Sequence, residues 1–382
     1  MIKIIRTSTI PTSLNIFCNG LLKELQDQYG YEIVAISSSG PALNEIKERE
    51  GVKTIAVEMQ RHISPIKDFK SLLCLIKAFR REKPTMVHSI TPKAGLLSMM
   101  AAWVTRVPVR LHTFTGLVFP TATGFKQKIL IFTDRLTCSC ATHLVPEGEG
   151  VKNDLINYKI TKKPLKVLGH GNVRGIDLEY YNPALPEVQT EADKIHDKNV
   201  FTFVFIGRLV RDKGINELVK AFSQLNITYP DTRLLLVGPY EENLDPLSAE
   251  TLAEIKNNKA IKSVGCQTDV RPWLAASDIF VFPSYREGFP NVVIEAGAMS
   301  LPSIVTDING SREIIINGIN GIIIPPREVE ALQDAMERLL TNSELTLEMS
   351  SNARPLIESR YEQRYVRQCL KDYYNELLKK YK

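Results

Sequence analysis

The chain has 382 residues, 44% of them apolar, and a formal net charge of +5. That length suits two domains with separate cores, the charge excess is too small to argue for nucleic acid as a partner, and no apolar run approaches the ~20 residues of a membrane-spanning helix. The N-terminus runs straight into a polar Thr/Ser-rich loop with no secretory pattern. The six cysteines are scattered, and Cys138-Ser139-Cys140 has neither metal nor redox spacing. They read as buried thiols in a reducing cytosol, so a cytoplasmic location is expected.

In chain order, residues 3–6 read as a strand and the loop 7–13 leads into a helix over about 14–29. A strand at 32–37, a helix near 44–50 and a short strand at 52–57 follow. Residues 68–81 are amphipathic, 86–89 form a strand, and Thr91-Pro92-Lys93 opens a helix to about 105. A strand at 109–113 comes next, with further strand candidates at 136–139 and 142–145. The second half repeats the pattern, with strands at 201–206, 232–237, 261–264, 279–282, 302–306 and 321–324. Helices are expected at 214–224, 328–340 and 365–382. Strands alternating with helices imply βαβ units and parallel sheets, an α/β fold class. The polar, Pro-containing segment 181–198 reads as a linker region.

The most informative stretch is Tyr285-Arg286-Glu287-Gly288-Phe289-Pro290-Asn291-Val292-Val293-Ile294-Glu295-Ala296. It follows a buried strand and opens a helix, with Pro290 expected at the first helical position. Glu287 then lies in the loop at the strand's C-terminal end and Glu295 about one turn into the helix. Open α/β sheets bind ligands at that edge, and a helix start favours an anion. Two carboxylates beside an anion site call for hydroxyl partners. A nucleotide sugar, with phosphates and hydroxyls together, satisfies the whole stretch; a charged surface loop is the plain alternative.

A second motif, Gly207-Arg208-Leu209-Val210-Arg211-Asp212-Lys213-Gly214, follows the first strand of the second half. Gly207 lets a ligand approach the backbone. Arg208 and Lys213 put two cations at a strand end beside a helix start, which suits a diphosphate leaving group. A basic surface turn is the alternative, and Arg211 reads as solvated.

These two motifs in this order resemble those of the retaining GT-B glycosyltransferases, the glycosyltransferase family 4 group. The resemblance covers nearly the whole chain and is tighter in the second half. It implies two Rossmann-like doubly wound parallel-sheet domains facing a cleft: 1–168 on the acceptor side, with 362–382 crossing back, and 169–361 binding the nucleotide sugar. It also implies that Arg208 and Lys213 meet the donor diphosphate, that Glu287 and the N–H groups of Gly288, Phe289, Pro290's neighbour Asn291 and the turn between them meet the transferred sugar, and that Glu295 holds the ribose. The segment from Val264 to Val270 is similar to the one whose backbone holds the base.

On the acceptor side the resemblance is looser. The first loop, with Thr12, lacks the adjacent glycines of many relatives. His88-Ser89-Ile90-Thr91-Pro92-Lys93-Ala94-Gly95 resembles a segment of sugar-polymer glycosyltransferases, and Lys93 is a cleft candidate or a plain helix-start lysine. Many relatives carry His directly before Gly116; here that position is Thr115, and His112 stands three residues earlier. Strand alternation sends those two side chains to different faces, so His112 reads first as a structural residue and Thr115 as a possible hydroxyl contact. His170, in the Gly-rich turn 169–175, is a further acceptor-side candidate. Asn309 stands where relatives usually have Gly, in a loop where a left-handed backbone is expected.

The implied activity is a hexosyltransferase moving sugar from a UDP-type donor, with retention, to a lipid-linked or glycan acceptor in capsule, O-antigen or lipopolysaccharide assembly. No cofactor is expected and, with no Asp-X-Asp triplet in the sequence, no metal. Two rivals are a nucleotide-sugar epimerase of the same fold and a non-catalytic nucleotide-sugar-binding protein. Two basic clusters stand out, Lys77, Arg80, Arg81 and Lys83 at one helix end and Lys379, Lys380 and Lys382 at the chain end; the first is either a set of dipole-matched cations or a peripheral contact to an anionic membrane.

Overall fold

The computed structural model describes residues 1–60, 64–241 and 245–381, so Lys382 lies outside the described residues. The chain divides into two compact units, Met1–Gly175 with Arg364–Lys382, and Ile176–Gln363. The division falls after Gly175 rather than at 168. Residues 169–175 stay with the first unit, where the Asn172 N–H donates to the Glu147 carbonyl at 2.8 Å. Ile176 opens the second unit by exchanging backbone hydrogen bonds with Tyr361 and Gln363 at 2.8 and 2.9 Å.

The N-terminal unit runs β1 (Lys3–Thr7), α1 (Pro11–Phe17), α2 (Leu21–Tyr29), β2 (Glu32–Ser37), α3 (Pro41–Glu50), β3 (Lys53–Ala56), α4 (Pro65–Glu82), β4 (Met86–Ile90), α5 (Pro92–Val104), β5 (Val109–Phe114), α6 (Gly124–Cys140), β6 (His143–Pro146) and α7 (Glu149–Asn157). Its six strands form one sheet in the order β3-β2-β1-β4-β5-β6, with every pairing parallel. Side chains of α1, α2 and α3 join one core, with Tyr374, Leu377 and Leu378 from the chain's last helix. Those of α4, α5, α6 and α7 join the other. Both faces of the sheet are therefore covered, which is why its strands are nearly continuous apolar runs.

Two expectations change here. The helix expected over 14–29 is two helices, broken where Gly20 takes φ 74°. Residues 136–139 are helical, not a strand. Their hydroxyls are satisfied inside α6: Thr133, Thr137 and Ser139 donate to the Leu130, Thr133 and Leu136 carbonyls at 2.8–2.9 Å, a local bond that removes the usual objection to Ser and Thr in a helix.

The C-terminal unit runs α8 (Pro186–Ala192), β7 (Phe201–Ile206), α9 (Ile215–Thr228), β8 (Thr232–Val237), α10 (Ala249–Asn257), β9 (Ile261–Gly265), α11 (Arg271–Ala275), β10 (Ile279–Phe282), α12 (Asn291–Ala298), β11 (Ser303–Thr306), α13 (Ser311–Ile314), β12 (Gly321–Ile324), α14 (Val329–Thr341) and α15 (Ser343–Tyr361). The last helix, α16 (Gln363–Leu378), returns to the N-terminal unit. The second sheet is again parallel, in the order β12-β11-β10-β7-β8-β9. Phe205 stacks on Phe282 with ring centroids 5.8 Å apart, joining β7 to β10. Residues 181–198 are not a free linker: α8 lies within them, and Tyr181, Val188 and Ala192 are buried. The cysteines divide, with Cys18, Cys138 and Cys140 buried but Cys74 and Cys266 exposed, so the reading of six buried thiols fails for those two.

In each sheet the chain reverses its direction of travel once, between β1 and β4 and between β7 and β10. The carboxyl ends of such strand pairs are where doubly wound sheets leave a crevice.

Candidate active site

At the β7/β10 reversal the backbone is packed without room for side chains. A Cβ on Gly238 would lie 1.8 Å from the Gly207 carbonyl oxygen, and one on Gly214 (φ 71°) would lie 2.1 Å from that of Pro283. The turn after β7 is thereby pressed against the end of β10, and Tyr285 N–H donates to the Asp212 carbonyl at 2.9 Å. This brings Lys213 to Glu287. The two form an ion pair with side chains 18% and 17% exposed. The buried Ser284 hydroxyl donates to the same Glu287 Oε1 at 2.7 Å, and Lys213 Nζ lies 4.9 Å from the centre of the Phe282 ring. Thr306 donates its hydroxyl to the Ser284 carbonyl, tying β11 to the same turn. Tyr285 Oη donates to Glu217 Oε1 at 2.6 Å. Burial, and then that carboxylate, push the phenol well above its ordinary range, so Tyr285 remains a donor.

The chain then passes through Gly288 and Phe289 to α12, where Pro290 takes the cap position rather than the first helical one. Glu295 is half-buried on the second turn. The loop before α13 backs this turn: a Cβ on Gly310 would stand 2.6 Å from the Gly288 oxygen. Gly310 (φ 74°), not Asn309, is the left-handed residue there. Arg208 is not brought into the Lys213 cluster; it pairs with Glu241 and is half-exposed. Arg211 is solvated as expected, though 3.3 Å from Asp245. Val270 caps α11 with no side-chain bond. Among the described residues no group of three His, Cys, Asp or Glu is placed to hold a metal ion.

Ser284, Glu217 and Glu241 escaped the sequence reading. Ser284 had one usable signal, a hydroxyl three residues before Glu287 at the strand's end. A hydrogen bond to a charged group is worth ~1.5–3 kcal/mol. Ser284→Ala is therefore expected to lower kcat roughly ten- to a hundredfold, measured by nucleotide release, and to lower the melting temperature by several degrees; unchanged kcat would show that Lys213 alone orients Glu287.

In the N-terminal unit the β1/β4 reversal is closed by two threonines. Thr91 Oγ1 accepts from Thr9 N–H at 3.1 Å and shares a 2.8 Å hydrogen bond with Thr9 Oγ1. Thr91 is β-branched at φ 72°, a conformation such residues rarely adopt. Lys93 donates to both Asp68 oxygens at 2.7–2.8 Å and is bound to α4. Thr12 is exposed on α1, and Thr115 and Gly116 (φ 124°) are half-buried after β5. His170 is exposed, its ring 6.1 Å from that of Tyr365.

His112 is buried, its Nδ1 2.9 Å from Ser89 Oγ. A Cβ on Gly95 would come within 2.3 Å of its ring. It fills the space that Gly95 leaves under α5. Burial pushes His112 down to about 3 and holds the equally buried His88 well below its ordinary range. Both groups bind a proton more readily in the unfolded chain, so the stability they contribute is present above about pH 6.5 and is lost as pH falls toward 3. Thermal melts of the wild type should therefore fall steadily through this window, and His112→Asn should flatten the slope; an unchanged slope would place the acid sensitivity elsewhere.

The model of the glycosyl transferases group 1 family matches residues 188–355, and that of the glycosyl transferase 4-like domain matches residues 14–171. The chain is 32% identical over 351 residues to the capsular polysaccharide biosynthesis glycosyltransferase CapM of Staphylococcus aureus, covering 91% of this chain and 90% of that protein. It is 30% identical over 298 residues to the UDP-Gal:alpha-D-GlcNAc-diphosphoundecaprenol alpha-1,3-galactosyltransferase of Escherichia coli, covering 77% and 76%. The crystal structure of Anabaena HepE in complex with UDP superposes with a TM-score of 0.81 at 17% identity, covering 98% of this chain and all of that one, a likeness of fold. The two parallel doubly wound sheets are those of the GT-B fold, and the chain belongs to the group 1 glycosyl transferase family.

Proposed function

We propose that the protein transfers a sugar from a UDP-sugar to a lipid-linked acceptor in surface polysaccharide assembly, with retention at the anomeric carbon and without a metal. The observation that carries this reading is the Lys213–Glu287–Ser284 cluster at the β7/β10 reversal. There a cation and a carboxylate held by a buried hydroxyl adjoin the start of α12. In this reading Lys213, joined by Arg208 once it leaves Glu241, stabilises charge on the departing diphosphate. Glu287 positions the sugar with the backbone N–H groups between Gly288 and Asn291. Glu295 holds the ribose, Gly207 admits the phosphates, and Val270 borders the base. The leaving phosphate takes the acceptor's proton, so no side-chain nucleophile is required. The N-terminal unit takes the acceptor, with Thr12, Thr115, Gly116 and His170 as its accessible candidates and Lys93 acting only if released from Asp68.

The relatives support the acceptor class. The name of the Escherichia coli protein joins UDP-Gal to a diphosphoundecaprenol-linked sugar, and that of CapM assigns it to capsular polysaccharide. No helix among the described residues is long and apolar enough to cross a membrane; in this reading the membrane-held acceptor is met by peripheral contact at the cytoplasmic face.

The test is a mass-spectrometric donor screen with individual UDP-, GDP- and ADP-sugars, a lipid-linked acceptor extract and chelator. A new glycolipid with released UDP is the expected result. Epimerised sugar without acceptor product would replace the reading with an isomerase, and donor binding without chemistry would replace it with a sensor.

A further inference from the structure

The turns after β7 and β10 carry four cations, Arg208, Arg211, Lys213 and Arg286. Each is paired with a carboxylate of the chain itself: Arg208 with Glu241, Arg211 with Asp245 at 3.3 Å, Lys213 with Glu287, and Arg286 with Asp212 at 3.2 Å. A diphosphate that enters here finds none of the four free. To gain one it must displace a carboxylate.

The carboxylates are held to different degrees. Glu287 accepts from Ser284 as well as Lys213, and both members of that pair are mostly buried. Asp245 is anchored a second time, its Oδ2 accepting from the Asp212 N–H at 2.6 Å. Glu241 bonds through its carboxylate to Arg208 alone among the described residues, with side chains 51% exposed for the arginine and 32% for the glutamate. An ion pair this solvated holds its partners weakly, whereas arginine meets a phosphate through two parallel charge-assisted hydrogen bonds. Exchange of Glu241 for a phosphate on Arg208 therefore runs in the ligand's favour.

The displaced carboxylate stays close by. On one side of it Leu209 N–H donates to the Pro239 carbonyl at 2.8 Å, and Tyr240 Oη donates to Ser263 Oγ at 3.0 Å. On the other, Asp245 is bonded to the Asp212 N–H. The chain after β8 is thus stitched to the turn after β7 on both sides of Glu241. This matters most once the sugar has left. In a nucleoside-diphosphate sugar the terminal phosphate is esterified and singly charged. In the free nucleoside diphosphate it loses a further proton near pH ~6. Arginine alone would hold that product more tightly than the donor. A carboxylate competing for the same arginine opposes both ligands, and opposes the product more.

We infer that Glu241 is the displaceable counter-ion of the donor site: it yields Arg208 to the incoming diphosphate and retakes it as the nucleoside diphosphate leaves, which favours release of product. This rests on the reading that Arg208 meets the donor diphosphate. Glu241 acts through Arg208 and is a positioning residue, not a catalytic one.

The test is calorimetric titration of the full chain with UDP and with its β-methyl ester, which has the donor's charge but no sugar to be recognised. Wild type, Glu241→Gln, Arg208→Ala and the double variant are compared. Glu241→Gln should tighten UDP binding about two- to fivefold and tighten the ester less. Most of the gain should vanish in the Arg208→Ala background, where no arginine is left to compete for. The sign separates this from a structural role, since a glutamate that merely held Arg208 in place would weaken UDP binding when replaced. Unchanged or weaker binding in Glu241→Gln would overturn the inference, as would equal gains for UDP and the ester. So would a gain undiminished without Arg208, which would reduce Glu241 to bulk charge. Any of these, with UDP bound by the wild type, leaves the donor-site reading standing. Wild type that binds neither ligand would sink that reading and the inference with it.

Discussion

Lys213→Ala should lower kcat/KM for sugar transfer by about 10²–10³-fold, the range for removing one preorganised group that meets developing charge. Stability should fall by only ~1–3 kcal/mol, because the lost partner leaves Glu287 mostly buried but Ser284 still donates to it. The decisive comparison is the double-mutant cycle with Glu287→Ala. Lys213 touches Glu287 directly, so a merely structural lysine, one that serves only to hold the carboxylate, would make the double variant no worse than Glu287→Ala. If instead Lys213 meets the diphosphate and Glu287 the sugar, the double variant falls below both singles. Donor affinity separates the roles further: UDP binding, followed by calorimetry, should weaken in Lys213→Ala and change little in Glu287→Ala. UDP binding untouched by loss of Lys213 would remove the lysine from the phosphate site.

The same cluster shows what the sequence could and could not convey. Glu287 and Glu295 were legible because their placement follows from a buried strand, a Gly–Pro break and a helix, all local features. The sheet strands were legible for a related reason: a parallel strand covered on both faces must be continuously apolar. Ion pairing was not. Lys213 and Glu287 are 74 positions apart, and nothing local says that the turn after β7 lies against the end of β10. Arg208 and Lys213 look equivalent in the motif, yet one pairs with Glu241 in solvent and the other with Glu287 in a half-buried crevice. The strand expected at 136–139 failed because hydroxyl side chains, unfavourable in a helix on average, bond back to their own carbonyls here. His112 shows the limit most plainly. Alternation separated it from Thr115, which lies beyond the end of β5, but only packing shows that it occupies the volume Gly95 vacates.

Gly238→Ala should cost the C-terminal unit more than ~3 kcal/mol, placing it among the severe single substitutions. The added carbon would stand 1.8 Å from the Gly207 oxygen and 2.7 Å from its carbonyl carbon. Those are backbone atoms, so no side chain can rotate away. Neither backbone is free to retreat: Gly207 N–H is bonded to the Val237 carbonyl at 2.9 Å, and Gly238 N–H to that of Gly265 at 2.8 Å. The ends of β7, β8 and β9 would have to part together. Gly238 also has φ 146°, where an L side chain is strained regardless of space. Gly30→Ala is the control, since it shares a positive φ (64°) but meets nothing within 4 Å; conformational strain alone should cost it ~1–2 kcal/mol. With two units in the chain, melting need not be a single transition, so the readout is the transition that UDP shifts upward in the wild type. That transition should fall by many degrees in Gly238→Ala, while Gly30→Ala leaves it in place and lowers only the other unit. Donor binding should fail in Gly238→Ala even below its melting point, because the displaced strand end carries Gly207 and the turn that positions Lys213. A Gly238→Ala protein that melts and binds UDP like the wild type would mean that the strand ends are not packed backbone to backbone.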